Sequence, residues 1–142
     1  MSVDPPLVML LESDPNLRRL LAGALQRRGH AVVEASSGND VVQQVVESFI
    51  YERPRAPPSL VIAELQSHSG SGLSIPQTMR VVRYDVPVLL MATFPEPAIE
   101  ASAARIPGCQ LIAKPFDVFE FLQTARAMID STRLKRPLRR SS

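Results

Sequence analysis

Five short apolar runs punctuate the chain, and a polar turn and a stretch with apolar residues at helical spacing follow each of them. LVMLL (7–11) is the first run, continuous rather than alternating and of the length of a strand buried on both faces. Glu12-Ser13-Asp14-Pro15 ends it: Asp14 or Ser13 can cap a helix with Pro15 in its first turn. Leu17, Leu20, Leu21, Ala24 and Leu25 mark one face of that helix, and Gly29 stops it.

The order then repeats. AVVEA (31–35) reads as a strand, SSGND (36–40) as a turn rich in capping residues, and Val41, Val42, Val45, Val46 and Phe49 as one helical face, although β-branched residues are poor helix formers. ERPRAPP (52–58) can only be a connection. SLVIAE (59–64) is the third strand, and QSHSGSG (66–72) a polar loop in which Ser71 can cap a helix from about Gly72 to Arg83. PVLLMAT (87–93) is the fourth strand, AIEASAARI (98–106) a weakly amphipathic helix, and CQLIA (109–113) the fifth strand. Lys114-Pro115 reads as a loop before a helix over DVFEFLQTARAMID (117–130), capped by Asp117. Five such units in alternation, with strands too apolar to have a wet face, predict a doubly wound parallel α/β sheet with helices on both sides.

Composition narrows this further. The chain has 142 residues, enough for one domain, and it is 45% hydrophobic but only 5% aromatic, so the core should be aliphatic. No apolar run approaches the length of a membrane span, and MSVDPP lacks the order of a signal peptide, so a soluble cytoplasmic protein is expected, with no membrane insertion. Cys109 is the only cysteine, which rules out an internal disulfide and suggests a core thiol. The net charge of +2 is misleading, because STRLKRPLRRSS (131–142) holds Arg133, Lys135, Arg136, Arg139 and Arg140 and no acid. Residues 1–130 therefore carry 11 basic against 14 acidic residues. The body is a mildly acidic domain over 1–130, and 131–142 is expected to be a disordered basic tail.

In a parallel sheet the loops after the strand carboxyl ends gather on one edge, where ligands bind. Glu12 and Glu64 become neighbours there if the first and third strands are adjacent, and Lys114 can point into the same place. With those residues in view, the chain resembles a response regulator receiver domain over residues 7–130. VMLLESDPNLRRLL (8–21) is similar to that family's first strand and helix, with an acidic pair at the positions of Glu12 and Ser13. PSLVIAELQSHSGSGL (58–73) is similar to its third strand and loop, with the phosphorylated aspartate at Glu64, and IAKPF (112–116) to the end of its fifth strand, with the family lysine at Lys114 and a cis-linked Pro115. The resemblance implies a three-layer, flavodoxin-like sandwich with strand order 2-1-3-4-5.

The resemblance also implies a chemistry that the residues do not support. In the family, Mg²⁺ held by the phosphoacceptor and the acids of the first loop neutralises the phosphoryl oxygens during transfer. A hydroxyl on the fourth strand and the lysine then hold the phosphoryl group, and an aromatic on the fifth strand reports the change. Here Ser13 stands for an acid, with Asp14 one position on. Glu64 extends the carboxylate by one methylene, and misplacement of about 1 Å can cost on the order of 10²-fold in rate. Ala92 stands at the hydroxyl position, with Thr93 facing the opposite way, and Leu111 at the switch aromatic. Only Lys114 matches.

The expectation is therefore a degenerate pseudo-receiver: a phosphorylation-independent protein-interaction module of two-component-type signalling, not an enzyme. It should have no cofactor and at most weak Mg²⁺ binding at Glu12 and Glu64. Glu64 is either a fixed charge that partly mimics a phosphoryl group or a structural partner of Lys114, and both readings predict a Glu64–Lys114 salt bridge. Partners would be signalling proteins or a second copy, through the face of the fourth helix, fifth strand and fifth helix. Phe94, Phe116 and Phe119 are the candidate contacts there; of these and Phe121, at least two should be core. Two alternatives stand beside this: a receiver still phosphorylated at a carboxylate by a histidine kinase, and a DNA-associated regulator acting through the tail. The tail has no aromatic to stack on bases, so nucleic-acid contact should be weak. His30 and His68 are expected to be solvated, and QSHSGSG lacks the lysine and hydroxyl of a phosphate-binding loop.

Overall fold

A computed structural model describes residues 5–51, 58–65, 73–82 and 85–135. The elements alternate throughout: β1 (Leu7–Leu11), α1 (Pro15–Arg27), β2 (Ala31–Glu34), α2 (Gly38–Tyr51), β3 (Leu60–Glu64), α3 (Ser74–Val82), β4 (Val88–Thr93), α4 (Pro97–Ala104), β5 (Cys109–Lys114) and α5 (Val118–Lys135). The strands form one parallel sheet in the order β2-β1-β3-β4-β5, as expected.

The period of two in each strand divides the core into two layers. Met9, Leu11, Val61, Ala63, Val88 and Leu90 face Val41 and Val45 of α2, Ile75 and Met79 of α3, and Ala103 of α4. The alternate residues Val8, Leu10, Leu60, Ile62, Leu89 and Met91 face Leu21 and Leu25 of α1 and Phe121, Ala125, Met128 and Ile129 of α5. Continuous apolar runs were needed because both faces of β1, β3 and β4 are covered.

Local chemistry fixes the helix starts. Asp14 caps α1, its Oδ1 accepting the N–H of Asn16 at 2.9 Å. Weak helix formers in α2 are offset by a reciprocal cap: Ser37 Oγ accepts from the Asp40 N–H (3.1 Å), and Asp40 Oδ2 accepts from the Ser36 N–H (2.9 Å). That backbone bond is the main reason the Asp40 carboxyl is held below its ordinary value, with Gln44 and the Ser36 hydroxyl adding to it against the cost of burial. At the other end of α1, Gly29 takes a φ of 90° that a side chain would resist, and the chain turns into β2.

Three expectations need correction. Helix α5 does not end at 130: it continues to Lys135, because nothing in Ser131–Lys135 breaks a helix before Pro137. The basic segment thus begins as helix, and residues 136–142 lie outside the described residues, as do His68, the QSHSGSG loop with Ser71, and residues 52–57. Lys114 is the last residue of β5 rather than part of a loop, in register with Thr93. His30 is half-buried rather than solvated, in a cleft of about 230 Å³ lined also by Pro6, Arg28, Leu122 and Arg126. The turn at Gly29 folds it toward α5.

Cys109 is buried, as expected of a lone core cysteine. Burial pushes its thiol up to about 11, outweighing the opposing charge of Arg80. Arg80 itself ties α3 to the turn before β5, donating to the Pro107 carbonyl (2.9 Å) and to that of Val86. Since the thiolate is the nucleophile, Cys109 should react far more slowly with a disulfide reagent in the folded protein at neutral pH than after denaturation, and the folded-state rate should climb with pH toward 11. Equal rates in the two states at neutral pH would contradict this.

Candidate functional site

Adjacent β1 and β3 bring Glu12 and Glu64 side by side at the carboxyl edge of the sheet, and β5, two strands beyond β3, supplies Lys114 from the other side. Glu12 follows the last residue of β1 and is only 2% exposed. An ionised carboxylate there needs charge and hydrogen bonds from the protein. Lys114 Nζ donates to Glu12 Oε1 at 2.5 Å, and Glu12 Oε2 accepts the Asp14 N–H at 2.9 Å. The Arg18 guanidinium, paired to Glu34 at 2.9 Å, also donates to the Glu12 carbonyl at 3.1 Å.

Glu64 is held differently. Ser13 grips its carboxylate with two groups: the backbone N–H on Oε1 at 2.8 Å and the hydroxyl on Oε2 at 3.1 Å. Lys114 Nζ lies 3.8 Å from Oε2. The expected Glu64–Lys114 pair is thus present but secondary, since the ammonium sits closest to the more deeply buried Glu12. The extra methylene of Glu64 carries its carboxylate across to the β1–α1 loop, where Ser13 meets it.

The donor set decides what the site can hold. All four carboxylate oxygens of Glu12 and Glu64 already meet an N–H, a hydroxyl or the ammonium. Magnesium demands near-octahedral oxygen ligation, and it would have to displace these donors and tolerate Lys114 beside it. Asp14, expected in an acidic pocket, offers no help: its carboxylate turns away to cap α1 and leaves only its N–H at the site. Among the described residues, no group of three or more His, Cys, Asp or Glu is placed to share a metal ion. The residues present do not fit Mg²⁺.

The remaining positions singled out in the sequence lie on β4, β5 and the segments that follow them. Ala92 is buried near the end of β4; Thr93, directed oppositely to Ala92, is exposed and in register with Lys114, so it stands on the lysine's face of the sheet. Leu111, expected at the switch aromatic, is half-buried and packs against the core layer beneath α2, α3 and α4. The Lys114–Pro115 bond is cis. Of the aromatics, Phe116 stacks on buried Phe121 with centroids 5.3 Å apart, making these two the core pair, whereas Phe94 and Phe119 are 85% and 56% exposed.

Ser13 and Arg18 are the residues the sequence undervalues. Ser13 looks like the loss of an acid, and its gain appears only beside a glutamate at position 64. Arg18 carries no local signal, because Glu34 lies sixteen residues away on a neighbouring strand.

No protein-family model matches the chain. The chain is similar to the acid tolerance regulatory protein ActR of Rhizobium meliloti (strain 1021), 25% identical over 115 residues, which are 81% of this chain and 55% of the relative. It is also similar to the photosynthetic apparatus regulatory protein RegA of Rhodovulum sulfidophilum, 25% identical over 114 residues, 80% of this chain and 57% of that protein. It spans about half the length of the curated relatives it matches. In structure it superposes on a response regulator receiver protein from Sinorhizobium medicae WSM419 with a TM-score of 0.72, covering 92% of this chain and 99% of that one at 15% identity. The sheet order and this superposition show the same doubly wound fold.

Proposed function

We propose, from the premise that this chain is built on the receiver fold, that it serves two-component-type signalling as a protein-interaction module that works without phosphorylation. The observation that carries this reading is the engagement of both site carboxylates by Ser13, Asp14 and Lys114. A phosphoacceptor must be free to attack, and a metal must reach it. Glu64 is instead a fixed charge that ties β3 to the β1–α1 loop. With no hydroxyl at Ala92 and an aliphatic Leu111, the site lacks the switching hydroxyl and has no aromatic at the fifth-strand position to move.

Such a module acts through its surface, and no helix among the described residues is long and apolar enough to cross a membrane. The face of α4, β5 and α5 presents Phe94 and Phe119. Two measurements test the reading. Intact mass after treatment with acetyl phosphate and Mg²⁺ should show no adduct; stoichiometric phosphorylation would overturn it in favour of a working receiver. Affinity capture from the source cell should retain a signalling protein that is lost when Phe94 and Phe119 are both replaced by serine.

A further inference from the structure

The surface around the two exposed aromatics has a definite charge. Phe94 follows β4 and Phe119 lies in the first turn of α5, so both stand at the carboxyl edge beside neighbouring strands. Phe94 has a φ of 48°, a left-handed backbone that bulky residues rarely adopt, and it still projects into solvent. Exposed Glu96, Glu100, Asp117 and Glu120 surround the starts of α4 and α5. The nearby cations do not neutralise them: Lys114 is committed to Glu12, and Arg105 stands at the far end of α4.

The chain carries a segment of the opposite character. Residues 136–140 are Arg-Pro-Leu-Arg-Arg, three guanidinium groups about one aliphatic side chain. Arginine stacks on aromatic faces and pairs bidentately with carboxylates, and an aromatic patch with an acidic rim offers both. We infer that residues 136–140 of a second copy dock on the Phe94–Phe119 patch, giving head-to-tail self-association. This rests on the interaction-module reading and names its partner chemistry.

The geometry favours an intermolecular contact. From Phe119 to Lys135 the helix runs about 24 Å at 1.5 Å per residue. Arg140, five residues beyond Lys135, reaches back at most about 18 Å even when fully extended. Its own side chain would have to span the remaining distance with the segment drawn out straight along α5, which costs the ordering of every residue in it, whereas a second copy brings the segment to the patch from outside. A contact between two different surfaces is heterologous and does not close at two copies.

Sedimentation velocity of the full chain at low salt tests this. The wild type should associate increasingly with concentration, and added salt should reverse it. One variant, Phe94→Ser with Phe119→Ser, lacks the patch; a second, Arg136→Glu with Arg139→Glu and Arg140→Glu, lacks the basic segment. Each should be monomeric alone with unchanged thermal unfolding, and an equimolar mixture should form a dimer that grows no further, because it holds one intact patch and one intact segment. A wild type that stays monomeric at every concentration, a variant that associates as the wild type does, or a mixture that stays monomeric would each overturn the inference. Capture of another signalling protein through Phe94 and Phe119 without self-association would do so as well, leaving the proposed function standing. Phosphorylation by acetyl phosphate would instead remove the proposed function and leave the association result untouched.

Discussion

Replacing Lys114 with methionine should lower the unfolding free energy by about 3 kcal/mol, the lower end of the range for breaking a buried ion pair, because the lysine side chain is 19% exposed while that of Glu12 is 1% exposed. Methionine fills nearly the same space, so the loss is electrostatic: Glu12 keeps the Asp14 N–H on one oxygen and loses the Lys114 ammonium on the other. Glu64 suffers less, since Ser13 still holds both of its oxygens. Adding Glu12→Gln should recover more than half of the loss, because an uncharged amide still accepts from Asp14 and no buried charge is left. Glu12→Gln alone should be destabilising, as it sets an amide against an ammonium. Urea denaturation of the four proteins gives the coupling directly. If Lys114→Met fell within about 0.5 kcal/mol of the wild type, the network would be a surface feature and not a buried lock.

Rebuilding the phosphoacceptor site should have the largest effect on chemistry. Glu64→Asp withdraws the carboxylate from Ser13, Ser13→Asp supplies the second acid beside Glu12, and Ala92→Thr restores a hydroxyl at the end of β4, where the resemblance puts the family's. The triple variant is expected to take up a phosphoryl group from acetyl phosphate only with Mg²⁺, at a rate on the order of 10²-fold or more above the parent, from the cost of misplacing a reacting group by about 1 Å. Single changes should fail for different reasons. Ser13→Asp alone sets a third carboxylate against Glu12 and Glu64, with one lysine to serve all three. Ala92→Thr alone crowds a buried position, at about 1 kcal/mol. Phosphorylation of the triple variant regardless of Mg²⁺, or none at all in a folded protein, would mean that the site is not aligned as a receiver pocket.

The interplay of Ser13 and Glu64 shows why the two substitutions belong together. A longer carboxylate at 64 reaches the β1–α1 loop, and a second acid at 13 would repel it; a serine offers two donors instead. From the sequence each change reads as a loss. Their complementarity becomes visible only when β1 and β3 lie side by side, 51 residues apart in the chain.

Pattern and residue type alone determine much of this protein. The apolar runs LVMLL, LVIAE and VLLMAT, the caps at Asp14 and Asp117, and the alternation of strand and helix specify a doubly wound parallel sheet, because burial on both faces and local hydrogen bonding act over a few residues. Glu12, Glu64 and Lys114 could be brought together because strand ends in such a sheet must meet at one edge, while Ser13, Ala92 and Leu111 rest on the resemblance alone. Which charges pair there was decided by the tertiary structure. Lys114 turns to Glu12 because Glu12 is the more deeply buried acid, Glu64 goes to Ser13, Asp14 leaves the site for the helix end, and Phe94 takes a left-handed backbone at the surface. Burial and distance between groups far apart in the chain settle each of these, and neither exists until the sheet has formed.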